Sequence, residues 1–157
     1  MQNLEWLDVG MRLTGAVLAG AILGVNRDLH HKPAGLRTHA LVSLGSAMVV
    51  VVAASIAEAS AETVGRAIQG LVTGVGSIGA GVILHHDAER RVVGLTTAVS
   101  VWVAAALGIA CGSADWVTAL LGLSLTLAVL VFGGPIERAW ERRFRAGRRA
   151  DRPDSES

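Results

Sequence analysis

Five runs of 19 or 20 residues with almost no charge constrain what this 157-residue chain can become. They are residues 7–25, 38–57, 66–84, 94–112 and 116–134, interrupted only by Asp8, Arg12 and Arg66. A soluble domain spreads charge over its helix faces. Here the charges gather between the runs. About 20 apolar residues in a helix cross a hydrocarbon core of roughly 30 Å. Lipid offers backbone groups no partners, so a spanning segment is a helix or part of a closed barrel. Apolarity is continuous here rather than alternating, which excludes the barrel. The expectation is an all-α integral membrane protein with about five transmembrane helices. Residues 1–136 form the transmembrane helical domain and 137–157 a basic cytoplasmic tail, disordered from 151 onward.

Fourteen Lys and Arg residues report on orientation. Arg27, Lys32 and Arg37 follow the first run, Arg90 and Arg91 follow the third, and seven arginines follow the fifth. With five spans these twelve share one side, while Arg66 lies on the other and Arg12 inside the first span. The positive-inside rule then places the N-terminus outside and the C-terminus in the cytoplasm. The N-terminus lacks a cationic leader and reads as a retained span. One cysteine, Cys111, permits no disulfide within the chain.

Shifted by 59 positions, residues 14–47 fall on 73–106 without a gap, and ten of 34 pairs are identical. Asp28/Asp87 and the Gly-Leu-x-Thr matches carry the signal. Spans 1–2 and 3–4 therefore read as a parallel internal repeat about an axis along the membrane normal. Chance similarity in a chain rich in Gly, Ala and Val is the competing reading.

In span 3, Gly70, Gly74, Ser77 and Gly81 share one helix face, and span 1 carries Gly15, Gly20 and Gly24. Small faces let helices approach closely in lipid. The sharper alternative is that the glycines of 70–81 break the helix beside a pathway. Arg12 stands four residues after Asp8, in reach of a pair, with Arg66 and Gln69 entering from the same outer side. His30–His31 and His85–His86, with Asp28 and Asp87, read as solvated turn residues rather than a metal site. In "HKPAGLRTH", Pro33 and Gly35 build a turn and Thr38 is placed to cap the next helix. Thr96 stands in the second copy where Arg37 stands in the first. Trp140 and Phe144 in the basic tail are spaced to dip into the interface together. No nucleotide-binding loop, nucleophile elbow or zinc-protease motif is present, and no nucleophile–base set is visible.

"AGAILGVNRDLHHKPAGLRTHALVSLGSA", "GVGSIGAGVI" and "GLTTAVSVWVAAALGIACG" together resemble the N-terminal membrane domain of the MgtC/SapB family over about residues 10–130. The family pattern falls here on Gly24, Arg27, Ala34, Gly35, Leu36, Arg37, Thr38, Gly74, Gly76, Gly79, Ala80, Gly81, Gly94, Leu95, Thr96, Thr97 and Trp102. Asn26 replaces the usual Glu and Ser77-Ile78 the usual Phe-Leu. The C-terminal domain of many members has no counterpart beyond the arginine tail.

The resemblance implies a multi-pass protein of the bacterial inner membrane, linked to magnesium homeostasis and virulence. The functional expectation is a non-enzymatic protein that supports magnesium or ion homeostasis by helix-mediated contact with itself or another membrane complex. The alternative is a channel or transporter for a cation or small solute along the repeat interface. Expected partners are the bilayer and a second copy or another membrane protein, with no nucleic acid, cofactor or bound metal. No catalytic residue is expected. The functional candidates are Arg12, Asn26, Arg27, Asp28, Gly35, Arg37, Thr38, Gly74, Gly79, Gly81, Asp87, Thr96, Thr97 and Trp102, with Arg37 the first to test.

Overall fold

The computed structural model describes residues 2–56, 60–83 and 94–150. Their regular structure is helical throughout: α1 Gln2–Leu29, α2 Leu36–Ser55, α3 Ala61–Ile83, α4 Leu95–Gly112 and α5 Trp116–Ala150. The chain divides into two compact units, Met1–Leu123 and Ser124–Ser157. The first holds α1 to α4 and the opening turns of α5. The second unit holds the remainder of α5, including Pro135, which removes one helical hydrogen bond.

Four helical segments are long and apolar enough to cross a membrane: Glu5–Leu29, Leu36–Ser55, Leu95–Gly112 and Trp116–Glu137. The third expected span is helical, but its described part does not reach that apolarity. Arg66, Gln69, Ser77 and six glycines dilute its Val, Leu and Ile residues. The same helix settles the question of a break. Its 23 residues form one continuous helix, so the glycines do not interrupt it. Each residue still makes its own backbone hydrogen bonds, and in lipid a broken helix leaves groups that nothing else satisfies.

The core of the first unit is built from small side chains. Ala16, Ala19 and Leu23 of α1, Ala47 and Val50 of α2, and Val101, Ala104, Ala105 and Cys111 of α4 are all buried. Large apolar residues point outward instead, among them Leu18, Leu41, Val52, Val99 and Leu120. That inversion suits a chain surrounded by lipid, where close backbone approach replaces the hydrophobic drive.

Glycines mark where the backbones touch. A Cβ on Gly20 would strike the His39 carbonyl, and one on Gly24 would come within 2.5 Å of the Leu36 Cα. On α4, a Cβ at Gly108 would collide with the Ser43 carbonyl, and one at Gly112 would lie 2.8 Å from the Ala47 carbonyl. Gly108 and Gly112 are four apart, as are Ser43 and Ala47. Two small-residue stripes thus run side by side, so α2 and α4 are parallel and α1 is antiparallel to both.

Two helices end in the same way. Lys32 N–H donates to the Arg27 carbonyl and His31 N–H to that of Asp28, with His31 at φ 52°. Asp115 N–H donates to Ala110 and Ala114 N–H to Cys111, with Ala114 at φ 59°. Both are Schellman caps whose left-handed residue is not glycine.

Candidate functional site

Where α1 stops and α2 and α4 begin, polar side chains converge inside apolar walls. Arg27 lies in the last turn of α1 and is 4% exposed. Its Nη2 donates to Thr97 Oγ1 in the first turn of α4. His39, fully buried on α2, places Nε2 3.1 Å from Ser100 Oγ and Nδ1 3.0 Å from the Gly35 carbonyl. A carbonyl only accepts, so Nδ1 carries the hydrogen there. Ser100 Oγ also lies 2.8 Å from the Thr97 carbonyl. Its single proton serves either that carbonyl or His39 Nε2. The chain Arg27–Thr97–Ser100–His39–Gly35 therefore ties three helices together with polar groups.

Asp28, next to Arg27 in sequence, points the other way. Its Oδ2 accepts the Leu36 N–H at 2.9 Å and closes the N-terminus of α2. Gly35 is the N-cap residue, and a Cβ there would run into the Asp28 carboxylate. The expectation that Thr38 caps α2 is corrected: Thr38 lies inside the first turn, because the Schellman turn after α1 brings Asp28 to the helix end first. Arg37 is exposed, as are Thr96 and Trp102, while Asn26 and Thr38 are half-buried. Asn26 contributes its backbone carbonyl to His30 Nδ1 at 2.7 Å.

At the opposite end, Arg12 forms the expected ion pair with Asp8, 2.6 Å away. It also donates from Nη1 to the Gly112 carbonyl at 3.0 Å, which closes the C-terminus of α4. Trp116 lies against Gly15 beside it. Arg66 does not join this group. It pairs with Glu62 on its own helix, both well exposed. Asp115 Oδ1 accepts the Thr118 N–H and caps α5, and these hydrogen bonds hold its carboxyl below the usual value of 3.8.

The third candidate region is the glycine face of α3. A Cβ on Gly70, Gly74, Gly76 or Gly81 would meet nothing within 4 Å, whereas one on Gly79 would lie 3.4 Å from Ala98. The close-packed interface expected from Gly70, Gly74, Ser77 and Gly81 is thus not filled at its glycines by any of the described residues. His85, His86, Asp87, Arg90 and Arg91 lie outside the described residues, as do 151–157 and the side chains of Phe144 and the tail arginines. Trp140 is exposed.

Sequence reasoning missed His39, Ser43 and Ser100. His39 and Ser43 are one turn apart on α2, a faint polar line in an apolar run that pointed to a shared buried face.

The MgtC family model matches residues 13–139 of the chain. Protein SrpB of Synechococcus elongatus is 37% identical, covering 97% of this chain and 92% of its own length. The Escherichia coli K12 protein named "Putative magnesium transporter YhiD" is 41% identical over 76% of this chain and 58% of its own. Protein MgtC of Brucella abortus is 36% identical over 87% of this chain and 55% of its own. The chain therefore spans most of SrpB but little more than half of the other two. No solved structure matches. With the family model covering most of its length and four helices long and apolar enough to cross a membrane, the chain is a multi-pass membrane protein that belongs to the MgtC family.

Proposed function

We propose that this protein supports magnesium or ion homeostasis at the bacterial inner membrane without catalysis, through helix-mediated association with a second copy or another membrane protein. The observation that carries the reading is the bare small-residue face of α3. On α1 and α4 the same residue types are covered by neighbouring backbone. On α3 Gly70, Gly74 and Gly81 are open among the described residues. In lipid such a face gains most from a close-packed partner helix. The magnesium link rests on the name of one relative.

The reading includes five crossings. Since α2 and α4 run parallel, the chain between them returns across the membrane, and α3 supplies that return. Its 23 residues reach about 35 Å as a helix. The N-terminus is then outside and the arginine tail cytoplasmic. The contacting helix pairs also favour the repeat: α1·α2, α3·α4, α1·α4, α2·α3 and α2·α4 map onto themselves when the two hairpins are exchanged. Conduction of a cation past the polar convergence is disfavoured by the buried guanidinium of Arg27, which repels divalent charge.

The test uses Gly74→Leu in cells that depend on this protein for growth at low magnesium. Growth is lost while the protein still accumulates in the membrane. Robust magnesium flux into liposomes holding the purified protein alone overturns the reading in favour of a transporter.

A further inference from the structure

Helix α3 lies along α4. Val75 packs with Val101 and Ala105 in one buried cluster, and Gly79 faces Ala98. As numbers rise along α3 they fall along α4, so the two helices are antiparallel. Leu95–Gly112 of α4 is long and apolar enough to span a membrane, and α3 lies at its depth. Val75 sits opposite the middle of that span. Gln69 is six residues before Val75, about 9 Å along the helix. Gly112 is seven residues beyond Ala105, about 10 Å. Gln69 is therefore level with the outer end of α4, and Thr73 and Ser77 lie deeper.

Arg66, Gln69, Thr73 and Ser77 are all exposed. Spacings of three, four and four residues place them within an arc of about 80° on the helix. They form a polar line beside Gly70, Gly74 and Gly81. Thr73 Oγ1 donates to the Gln69 carbonyl at 2.9 Å. The Gln69 amide and the Ser77 hydroxyl make no hydrogen bond among the described residues. Lipid tails offer them none, and polar side chains of spanning helices bond across to a neighbouring helix. A glycine face admits any helix; the polar line restricts which helix fits.

We propose that the helix packed on this face is α3 of a second copy. The inference rests on the reading of α3 as a docking face and names its occupant. Copies in one membrane insert in one orientation, so two α3 helices meet in parallel about a twofold axis along the membrane normal. Each residue of the line then meets its counterpart at the same depth. Gln69 suits that arrangement, because its side chain holds both a carbonyl and an NH2 group, and two facing glutamines satisfy each other. The Ser77 hydroxyl both donates and accepts in the same way. At the outer end Arg66 and Glu62 form an ion pair 2.7 Å long, both well exposed. Each copy thus brings one charge of each sign, and Arg66 of one copy finds Glu62 of the other as well as its own. Gly70 and Gly74 let the backbones approach. A foreign helix needs matching polar groups at both the Gln69 and the Ser77 depths.

Single cysteines in the full chain, with Cys111 replaced by Ala, test the pairing in native membranes under mild oxidation. Gln69→Cys and Ser77→Cys each yield a disulfide-linked dimer. Ile78→Cys does not, although Ile78 is exposed at the same depth as Ser77, because it lies about 100° further around the helix. With the cysteines absent, Gln69→Leu raises the dimer dissociation constant in liposomes about tenfold, the loss of two interhelical hydrogen bonds. Equal cross-linking from Ser77→Cys and Ile78→Cys marks random collision and overturns the proposal, as does an unchanged dissociation constant in Gln69→Leu. Monomer alone from both Gln69→Cys and Ser77→Cys overturns the second copy as occupant. If Gly74→Leu still abolishes growth at low magnesium in that case, α3 docks on a different protein; if growth is unchanged, the docking reading falls as well.

Discussion

Helices α1 and α3 carry the same device and use it differently. Both carry several glycines. On α1, Gly15, Gly20 and Gly24 are pressed against Trp116, His39 and Leu36. On α3, a Cβ at Gly70, Gly74 or Gly81 would meet nothing within 4 Å among the described residues. A glycine stripe is therefore not evidence of an internal contact. It states that close approach is possible, and only the third dimension shows whether the chain has used it. The difference separates residues that hold the protein together from residues that we propose hold it to something else.

The largest effect follows from filling a covered glycine. Gly20→Leu forces a side chain into the α2 backbone, and overpacking against a main chain that has nowhere to move costs more than about 4 kcal/mol. The expected outcome is a protein that fails to accumulate in membranes. If it accumulates and melts like the wild type, α1 and α2 are not as close as described.

The second prediction concerns the junction that seats Trp116 over Gly15. Ala114 sits at φ 59°, where a Cβ is strained. Ala114→Gly relieves that and raises stability by about 1 kcal/mol, read as a higher unfolding midpoint in detergent. A lower midpoint contradicts the left-handed cap.

Gly74→Ala sharpens the comparison from the other side. With open space around Gly74, the change gains helix propensity, about 0.5–1 kcal/mol, in the detergent-solubilised monomer. Association in the membrane weakens at the same time. A covered glycine shows no such split, because its Cβ lowers stability directly.

The smallest effect comes from pH. Asp115 caps α5 one residue before Trp116, and its folded pKa is depressed by the Thr118 hydrogen bonds. A depressed carboxylate contributes stability that is present above its ordinary value of 3.8. That contribution is lost as pH falls through the lower folded value. The melting midpoint of Asp115→Asn therefore depends less on pH below about 4 than that of the wild type. Equal pH profiles contradict the cap.

Much of the fold was legible because lipid imposes simple rules. Spanning length and charge placement marked the starts of α2, α4 and α5 closely, although α5 runs on to Ala150, well past the expected span, and Asp8–Arg12 was visible as a pair one turn apart. The described part of α3 is less apolar than the other four spans, which charge-based counting does not register, since glycines interrupt it no more than leucines do. The polar convergence was only half legible. Arg27 and Arg37 flank the same turn, and nothing in their spacing tells which one α4 covers. Thr97 and Ser100 of α4, the partners of Arg27 and His39, lie 70 and 61 residues away along the chain. The N-cap of α2 was assigned to Thr38 by proximity, whereas the acceptor is Asp28, eight residues before the amide it closes. Long-range partners of lone polar residues are set by helix packing, which no local pattern encodes.

The central claim is that α3 presents its open face to another membrane helix. A photoreactive residue introduced at Ser77, on that face, tests it most directly in intact cell membranes. The account predicts a discrete cross-linked species, either a dimer of this chain or a heavier complex, that disappears when Gly74→Leu is added. It also predicts no such species from a photoreactive residue at Ala16, which is buried on α1. A Ser77 probe that captures only lipid, in a protein that still supports growth at low magnesium, would contradict it.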